Sequence, residues 1–379
     1  MPVAEALKQV LADARPLAAE IVELDDALGR VLSEDVVALR TQPPAAVSAM
    51  DGYAVRASDI TQVQSTLNLI GEVAAGHPFD GAVGPGEAAR IFTGGVMPAG
   101  SDTVVIQELT TTDGKTVTVQ RPTTKGRNVR AKGIDFSAGQ AFLPKGTRLG
   151  DRDLMFVAAM NHPRVSVYRR PKVAVLGTGD ELVPPGSSPK PGEIVYSNGF
   201  ALRALARSEG AAVLDLGIAP DRVEDITGGV RRARDWGADV LLTTGGASVG
   251  EHDLVQRALA SEGLNLSFWR VALRPGRPMM HGQLGGMQVL GVPGNPVSAY
   301  VCTFLFLVPL LRRLQGRADI DHPRENARLG QALVDETQKL ELLAGQHLSL
   351  PVGLPFKEGS SQKQIMNGHY MFDMCSATI

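Results

Sequence analysis

The chain has 379 residues, 44% hydrophobic and 21% charged, with 42 Gly, 24 Pro and a formal net charge of −2, which fits two to four turn-rich globular domains. That near-neutral balance excludes non-specific nucleic-acid binding, and two cysteines, Cys302 and Cys375, cannot build a disulfide framework or a cysteine-rich zinc site. No signal-peptide pattern opens the chain, and the longest apolar run, 297–311, contains Pro309 and falls short of the roughly 18 residues of a membrane span, so the expectation is a cytoplasmic protein with no membrane segment.

Val3, Ala6, Leu7, Val10 and Leu11 recur at helical spacing and predict a helix over 3–14, with a second short helix over 25–32. Pro43-Pro44 and Asp51-Gly52 then break regularity. Residues 53–150 read as β-rich, with strands expected at 53–56, 67–73, 87–92, 103–107, 116–120 and 141–143. A helix over 153–160 returns the chain to the first helices, which makes the β-rich stretch an insertion. From 165 to 315, strands at 173–176, 212–216, 240–243 and 289–292 alternate with helices at 199–208, 223–234, 254–261 and 297–314. Such alternation argues for an α/β domain with a largely parallel sheet. Beyond Arg328 no arginine occurs, and the tail reads as a small separate β module.

The expected fold class is therefore multidomain α/β plus β. Its parts are a discontinuous helical and extended N-terminal domain (1–46 and 145–170), a β-rich inserted domain (47–144), an α/β domain (171–325) and a C-terminal β module (326–379).

Two glycine-rich turns dominate the α/β region. The first runs Thr243-Thr244-Gly245-Gly246-Ala247-Ser248-Val249-Gly250-Glu251-His252-Asp253, the second Gly291-Val292-Pro293-Gly294-Asn295-Pro296-Val297-Ser298-Ala299. Small residues between strand and helix let backbone N–H groups approach a phosphate. The close carboxylate of Asp253 suits a divalent cation beside it, so the pattern points to a phosphorylated ligand with Mg²⁺. Gly177-Thr178-Gly179-Asp180-Glu181 lacks the third glycine of a dinucleotide fingerprint, and no Gly-Lys-Ser/Thr P-loop occurs.

Glu181, Asp221 and Asp253 fall at expected strand ends and form the candidate metal set, although such carboxylates also cap helices. Arg270, Arg274 and Arg277 surround Pro275-Gly276 with forked donors suited to an oxyanion. In the β-rich region, Asp51 lies in a tight turn, Thr93 in a glycine-rich loop, and Arg130 and Lys132 precede Asp135.

Together, and in this order, the stretches 48–56, 91–108, 128–136, 177–182, 243–253, 270–278 and 291–299 resemble the molybdopterin molybdenumtransferase family (MoeA and the gephyrin E domain) over roughly residues 5–320. The resemblance implies an elongated homodimer whose active site faces the β-rich domain of one subunit toward the α/β domain of the other. It implies that adenylylated molybdopterin and molybdate yield molybdenum cofactor with Mg²⁺-dependent release of AMP, downstream of a molybdopterin adenylyltransferase. By motif position, Gly245, Gly246, Ser248 and Gly250 cradle substrate, and Glu181, Asp221 and Asp253 serve the pterin phosphate and metal. Arg270 and Arg274 stand where the family commonly carries lysines and hold anionic charge, while Pro293 and Pro296 shape the pocket. Asp51, Thr93, Arg130 and Asp135 complete the site from the partner subunit. The tail departs from the family, with only a weak echo of its glycine-serine motif at 358–366. That departure keeps open a non-catalytic molybdopterin-binding or scaffolding paralogue, and a nucleotide-processing hydrolase stands as the more distant alternative.

Overall fold

The computed structural model describes residues 1–245, 254–273, 276–328, 333–335, 340–342 and 347–351. Helix α1 (Val3–Ala12) carries Ala6 and Val10 on its buried stripe. That stripe packs into a core with Leu310, Leu311 and Leu314 of the α/β body. This contact ties the start of the chain, which the sequence groups with 145–170, to the α/β body. The physical reason is that an amphipathic helix needs a broad apolar surface, and the α/β body presents one.

Strand β1 (Ala19–Glu23) pairs antiparallel with residues 164–168, a closure that periodicity did not reveal. The helix expected over 25–32 is a single 3₁₀ turn, Leu24–Asp26. Gly29 at φ 72° turns the chain away from it. Arg30 is then buried, pairing with Glu20 and donating to the Tyr168 carbonyl at 3.0 Å.

The β-rich region holds β2 (Val36–Val37), β3 (Val47–Ser48), β4 (Gly52–Val55), β5 (Ser65–Val73), β6 (Glu87–Ile91), β7 (Thr103–Ile106), β8 (Thr110–Thr112), β9 (Thr116–Val119), β10 (Val129–Arg130) and β11 (Ala141–Leu143). Six of these form one sheet ordered β7-β4-β6-β5-β9-β8, antiparallel except for β5 and β6. Tyr53, Val55, Leu67 and Val105 bury into one core, and Ala54, Val73, Ile91 and Val104 into another. Cover on both faces explains why β4 shows no polar alternation. A Cβ at Gly52 would lie 2.0 Å from the Val105 carbonyl oxygen, so only glycine lets β4 and β7 pair at that point.

Two short ladders, β3 with β10 and β2 with β11, join this sheet to the flanking chain. Helix α2 (Asp151–Ala159) begins where the Asp153 carboxylate accepts from Gly150 N at 2.8 Å. It is followed by β12 (Arg164–Tyr168), the partner of β1. Phe136, Phe142 and Phe156 meet edge to face at centroid distances of 5.0 to 6.0 Å within this third core.

The α/β region runs β13 (Lys172–Thr178), β14 (Leu182–Val183), β15 (Ile194–Val195), α3 (Asn198–Ser208), β16 (Ala212–Ala219), α4 (Val223–Asp235), β17 (Val240–Thr244), α5 (Leu254–Ser261), β18 (Asn265–Phe268), β19 (Met280–Leu284), β20 (Met287–Val292), α6 (Pro296–Cys302) and α7 (Val308–Leu314). The sheet order is β16-β13-β17-β20-β19-β18. The first four strands are parallel, and β19 and β18 extend the sheet antiparallel. Val173 and Val175 face one core with α1, α3 and α7, while Ala174 and Leu176 face another with α4 and α5. Burial on both sides produces the near-continuous apolar runs of these strands.

A π turn, Thr303–Leu307, links α6 to α7 ahead of Pro309, which lacks an N–H to continue the helical ladder. The continuous helix Pro296–Leu314 has the length and apolarity of a membrane span, with 72% of its apolar window buried inside the protein. That burial marks it as the central helix of the α/β core. Further along, β21 (Arg324–Arg328) pairs with residues 347–351, and β22 (Leu333–Asp335) with β23 (Leu340–Leu342). The strand at 347–351 is β24 (His347–Pro351). The Gly359-Ser360 segment lies outside the described residues.

Candidate functional site

The β-rich sheet gathers one polar cluster. The Asp51 carboxylate oxygen Oδ1 accepts from Thr93 N at 2.7 Å and from Thr93 Oγ1 at 2.8 Å. Those two bonds hold its carboxyl below the usual aspartate range, with Arg90 adding a smaller favourable charge. Arg90 lies over Tyr53 at 5.0 Å and Phe92 at 5.1 Å, and donates to Gln107 Oε1 at 2.7 Å.

The backbone locks the loops that carry these groups. Ser48 N donates to Gly95 O and Gly94 N to Ser48 O, both at 2.9 Å. Ser48 also pairs with Val129 in the β3–β10 ladder, which sets Arg130 opposite Val47. Asp135 N donates to Gln42 O at 3.1 Å, keeping the following loop beside the 42–48 segment. Asp51, Thr93, Arg130 and Asp135 are thus carried on segments that bond to one another. Arg130 and Asp135 are exposed and enter no ion pair among the described residues.

The α/β sheet gathers the second cluster at the carboxyl ends of its parallel strands. Glu181 follows β13 and Asp221 follows β16, the strand beside it. Asp221 N donates to Asp180 Oδ1 at 3.0 Å, and Gly179 N to Ala219 O at 3.2 Å, so the two turns are tied together. A Cβ at Gly179 would lie 2.4 Å from Glu181 Oε2, which shows the glutamate folded over its own turn. Glu181 and Asp221 are exposed and unpaired among the described residues. Gly245 follows β17 at φ 97°, and a Cβ there would stand 2.2 Å from the Thr178 carbonyl.

After β20, Pro293 is buried and its carbonyl accepts from Thr244 Oγ1 at a longer 3.4 Å. Pro296 is the first residue of α6, where the fixed φ of proline suits a helix start, and Asn295 caps it by accepting from Ser298 N at 3.1 Å. Arg270 is exposed on the connection between β18 and β19. Gly246, Ser248, Gly250, Asp253 and Arg274 lie outside the described residues, as does His252.

Among the described residues no three His, Cys, Asp or Glu side chains gather into a metal cluster. Mg²⁺ does not need one, because it takes one or two carboxylates and completes its shell with water and substrate phosphate. Two free carboxylates on adjacent strand ends fit that demand, and softer transition metals are not favoured by an all-oxygen set. No hydrogen bond or ion pair among the described residues joins this cluster to the Asp51 cluster. Cys302 is a buried free thiol, pushed up to about 12 by its apolar surroundings, which suits packing and not nucleophilic chemistry.

Several participants escaped sequence reasoning. Asn198 donates from Nδ2 to Thr244 Oγ1 at 3.0 Å and to Gly294 O at 2.7 Å. Asp180 bridges the turns after β13 and β16. Tyr196 is buried with a hydroxyl that finds no partner, and burial raises that hydroxyl to about 12. Asp180 lies within the 177–182 stretch, whereas Tyr196 and Asn198 lie just ahead of the helix expected over 199–208, and nothing in their spacing distinguishes the three from ordinary helix-start and turn residues.

Comparison with known proteins follows the same division. Residues 1–161 match the family model for the MoeA N-terminal region (domain I and II), and residues 174–313 match that for a probable molybdopterin binding domain. The chain is 39% identical over 306 residues to a molybdopterin molybdenumtransferase from a Nostoc species, covering 79% of this chain and 70% of that one. It is 36% identical over 309 residues to the Haemophilus influenzae molybdopterin molybdenumtransferase, covering 81% and 76%. The crystal structure of the molybdopterin biosynthesis MoeA protein from Pyrococcus horikosii superposes with a TM-score of 0.76 at 32% identity, covering 93% of this chain and 94% of that one.

Proposed function

The chain belongs to the molybdopterin molybdenumtransferase family, and from that premise we propose that its two polar clusters are halves of one active site, shared between two copies in a cytoplasmic homodimer. The protein is a transferase that delivers molybdenum to molybdopterin. In this proposal its substrates are adenylylated molybdopterin and molybdate, and its products molybdenum cofactor and AMP. A molybdopterin adenylyltransferase acts immediately upstream.

The observation that carries the reading is the pair of exposed, unpaired carboxylates, Glu181 and Asp221, on turns tied together at the carboxyl edge of the parallel strands. By motif position, Gly245, Gly246, Ser248 and Gly250 would offer backbone donors to the pterin phosphate. Glu181, Asp221 and Asp253 would hold Mg²⁺, which supplies positive charge to the phosphoanhydride as AMP leaves. Arg270 and Arg274 bind substrate anion charge with planar forks. Pro293 and Pro296 form the wall of the cleft.

The partner's β-rich half brings a different chemistry. Asp51, held below the usual aspartate range by Thr93, stays ionised at physiological pH. It therefore acts as an oriented acceptor and fixed negative charge, not as a proton donor. Arg130 offsets that charge and attracts molybdate, and Asp135 adds a second carboxylate at the same edge.

The test is AMP release from adenylylated molybdopterin with and without molybdate and Mg²⁺, paired with reconstitution of an apo-molybdoenzyme. Release that requires both ions, with recovered enzyme activity, is the expected outcome. Tight pterin binding without release overturns the proposed reaction.

A further inference from the structure

The ladder between β17 and β20 ends at the pair Thr244↔Val292. Both glycine turns begin at the next residue, where no strand hydrogen bonds hold them in register. They are nevertheless close, since a Cβ at Gly294 would lie 3.6 Å from the Gly245 Cα. One side chain from outside ties the second turn to the strand before the first. Asn198 donates to Thr244 Oγ1 at 3.0 Å at the end of β17 and to the Gly294 carbonyl at 2.7 Å on the turn after β20. A carbonyl only accepts, so this partner fixes which end of the amide faces the turns. The Thr244 hydroxyl passes the connection on to Pro293 O at 3.4 Å.

Asn198 is itself held in place. It is the first residue of α3, and Tyr196, two residues before it, packs against the end of β13 at Gly177. The Tyr196 ring is wedged between two glycines: a Cβ at Gly177 would lie 2.7 Å from the ring, and one at Gly199 would lie 2.3 Å from the hydroxyl. Neither glycine can be enlarged without moving the ring, so the start of α3 cannot drift from the sheet.

We propose that Asn198 is a positioning residue for substrate binding, holding the turn after β20 against the end of β17 and so fixing where Pro293 and Gly294 stand beside the substrate. The inference rests on the function proposed above. It separates substrate affinity from chemistry, because neither the Glu181 nor the Asp51 cluster touches this amide.

The test compares Asn198→Ala with Thr244→Val, which keeps side-chain volume and removes the Thr244 hydroxyl with its bonds from Asn198 and to Pro293 O. Asn198→Ala is expected to raise KM for adenylylated molybdopterin by about tenfold or more, with kcat changed by less than about threefold. Molybdopterin affinity, read by pterin fluorescence, falls by the same factor. Thr244→Val, which leaves the Gly294 bond intact, shows an effect of about threefold. Unchanged KM and unchanged pterin affinity, with only a lowered melting temperature, overturn the clamp and leave Asn198 a packing residue. Should Asn198→Ala fail to fold, Thr244→Val decides the matter by the same two readouts. Absence of AMP release in the unmodified protein refutes the proposed reaction alone, since the fluorescence arm still reports on the clamp.

Discussion

Asp51 takes both of its carboxylate hydrogen bonds from Thr93, 42 positions further along the chain, whereas Glu181 and Asp221 stand on turns that strand order sets side by side and two bonds from backbone N–H groups join. In the β-rich half the polar geometry is built by tertiary hydrogen bonds between loops. In the α/β half it is built by topology, since every parallel strand ends at the same edge. The first arrangement lowers the proton affinity of its carboxylate, and the second leaves its carboxylates exposed and free for a cation. The proposed shared site would use each device once, one for an oriented anion and one for a cation.

The sharpest way to break the comparison is to disable one half at a time by its glycine. Gly52→Ala drives a methyl to 2.0 Å from the Val105 carbonyl in the middle of the β-rich sheet, and Gly245→Ala sets one 2.2 Å from the Thr178 carbonyl at a left-handed φ. Each is expected to cost about 3 kcal/mol or more of stability, read by denaturant melts of the full chain. Retention of activity and stability in both would show that neither close approach matters.

Next in size is Asp51→Asn, which keeps shape and removes charge. We expect activity to fall about 100-fold, or roughly 2.7 kcal/mol of barrier, with folding intact. Co-expressing Asp51→Asn with Glu181→Gln is then informative. If the halves come from different subunits, the co-expressed mixture regains about a quarter of normal activity, because about half the dimers are mixed and each of these carries one intact site of two. No regain over the separate variants rules out a shared site.

Smaller is the effect of Thr93→Val, which removes one of the two bonds to Asp51. The Asp51 pKa is expected to rise toward the ordinary value of 3.8, measured by NMR titration of the carboxyl carbon. The sign follows from linkage: a depressed carboxylate adds stability that is present above its unfolded pKa and lost as pH falls through the folded one. Thr93→Val should therefore flatten the acid limb of the stability curve. An unchanged titration would mean that the Thr93 backbone N–H alone sets the shift.

The smallest effect is expected in the α/β half from Tyr196→Phe. The hydroxyl is buried without a partner, so its removal should leave the melting temperature level or slightly raised. A loss of about 1 kcal/mol or more would reveal a bond that the hydroxyl makes in solution.

The two halves also differ in how far the sequence exposes them. Strands such as Val173 to Leu176 and Val240 to Leu242 are legible because burial on both faces makes them continuous apolar runs. The turns at Gly179 and Gly245 are legible because glycine is required where backbone meets backbone. Glu181, Asp221 and Asp51 could be listed from their motifs, but their geometry could not. The Asp51–Thr93 pair depends on β4 and β6 becoming neighbours, and the Asn198 clamp on α3 crossing the ends of β17 and β20. Such pairings are properties of the three-dimensional path, with no local period to announce them. The hairpin of β18 and β19 went unread for a related reason: Leu266 and His281 alternate too weakly with their neighbours. The π turn at Thr303–Leu307 was masked by an unbroken apolar run.

The packing of α1 against α7 also has a consequence for how the chain is made. The surface that residues 3–12 bury against, at 308–314, is translated about 300 residues after them. At about 5–20 residues per second, the apolar stripe of Val3, Ala6, Leu7 and Val10 waits on the order of 15–60 s for its partner. The β-rich sheet needs nothing synthesised after residue 130 to close, so it can fold during that interval. Completion of the α/β core is thus a late event in synthesis, and a nascent chain halted before residue 308 presents its first helix to any chaperone that reads exposed aliphatic stripes.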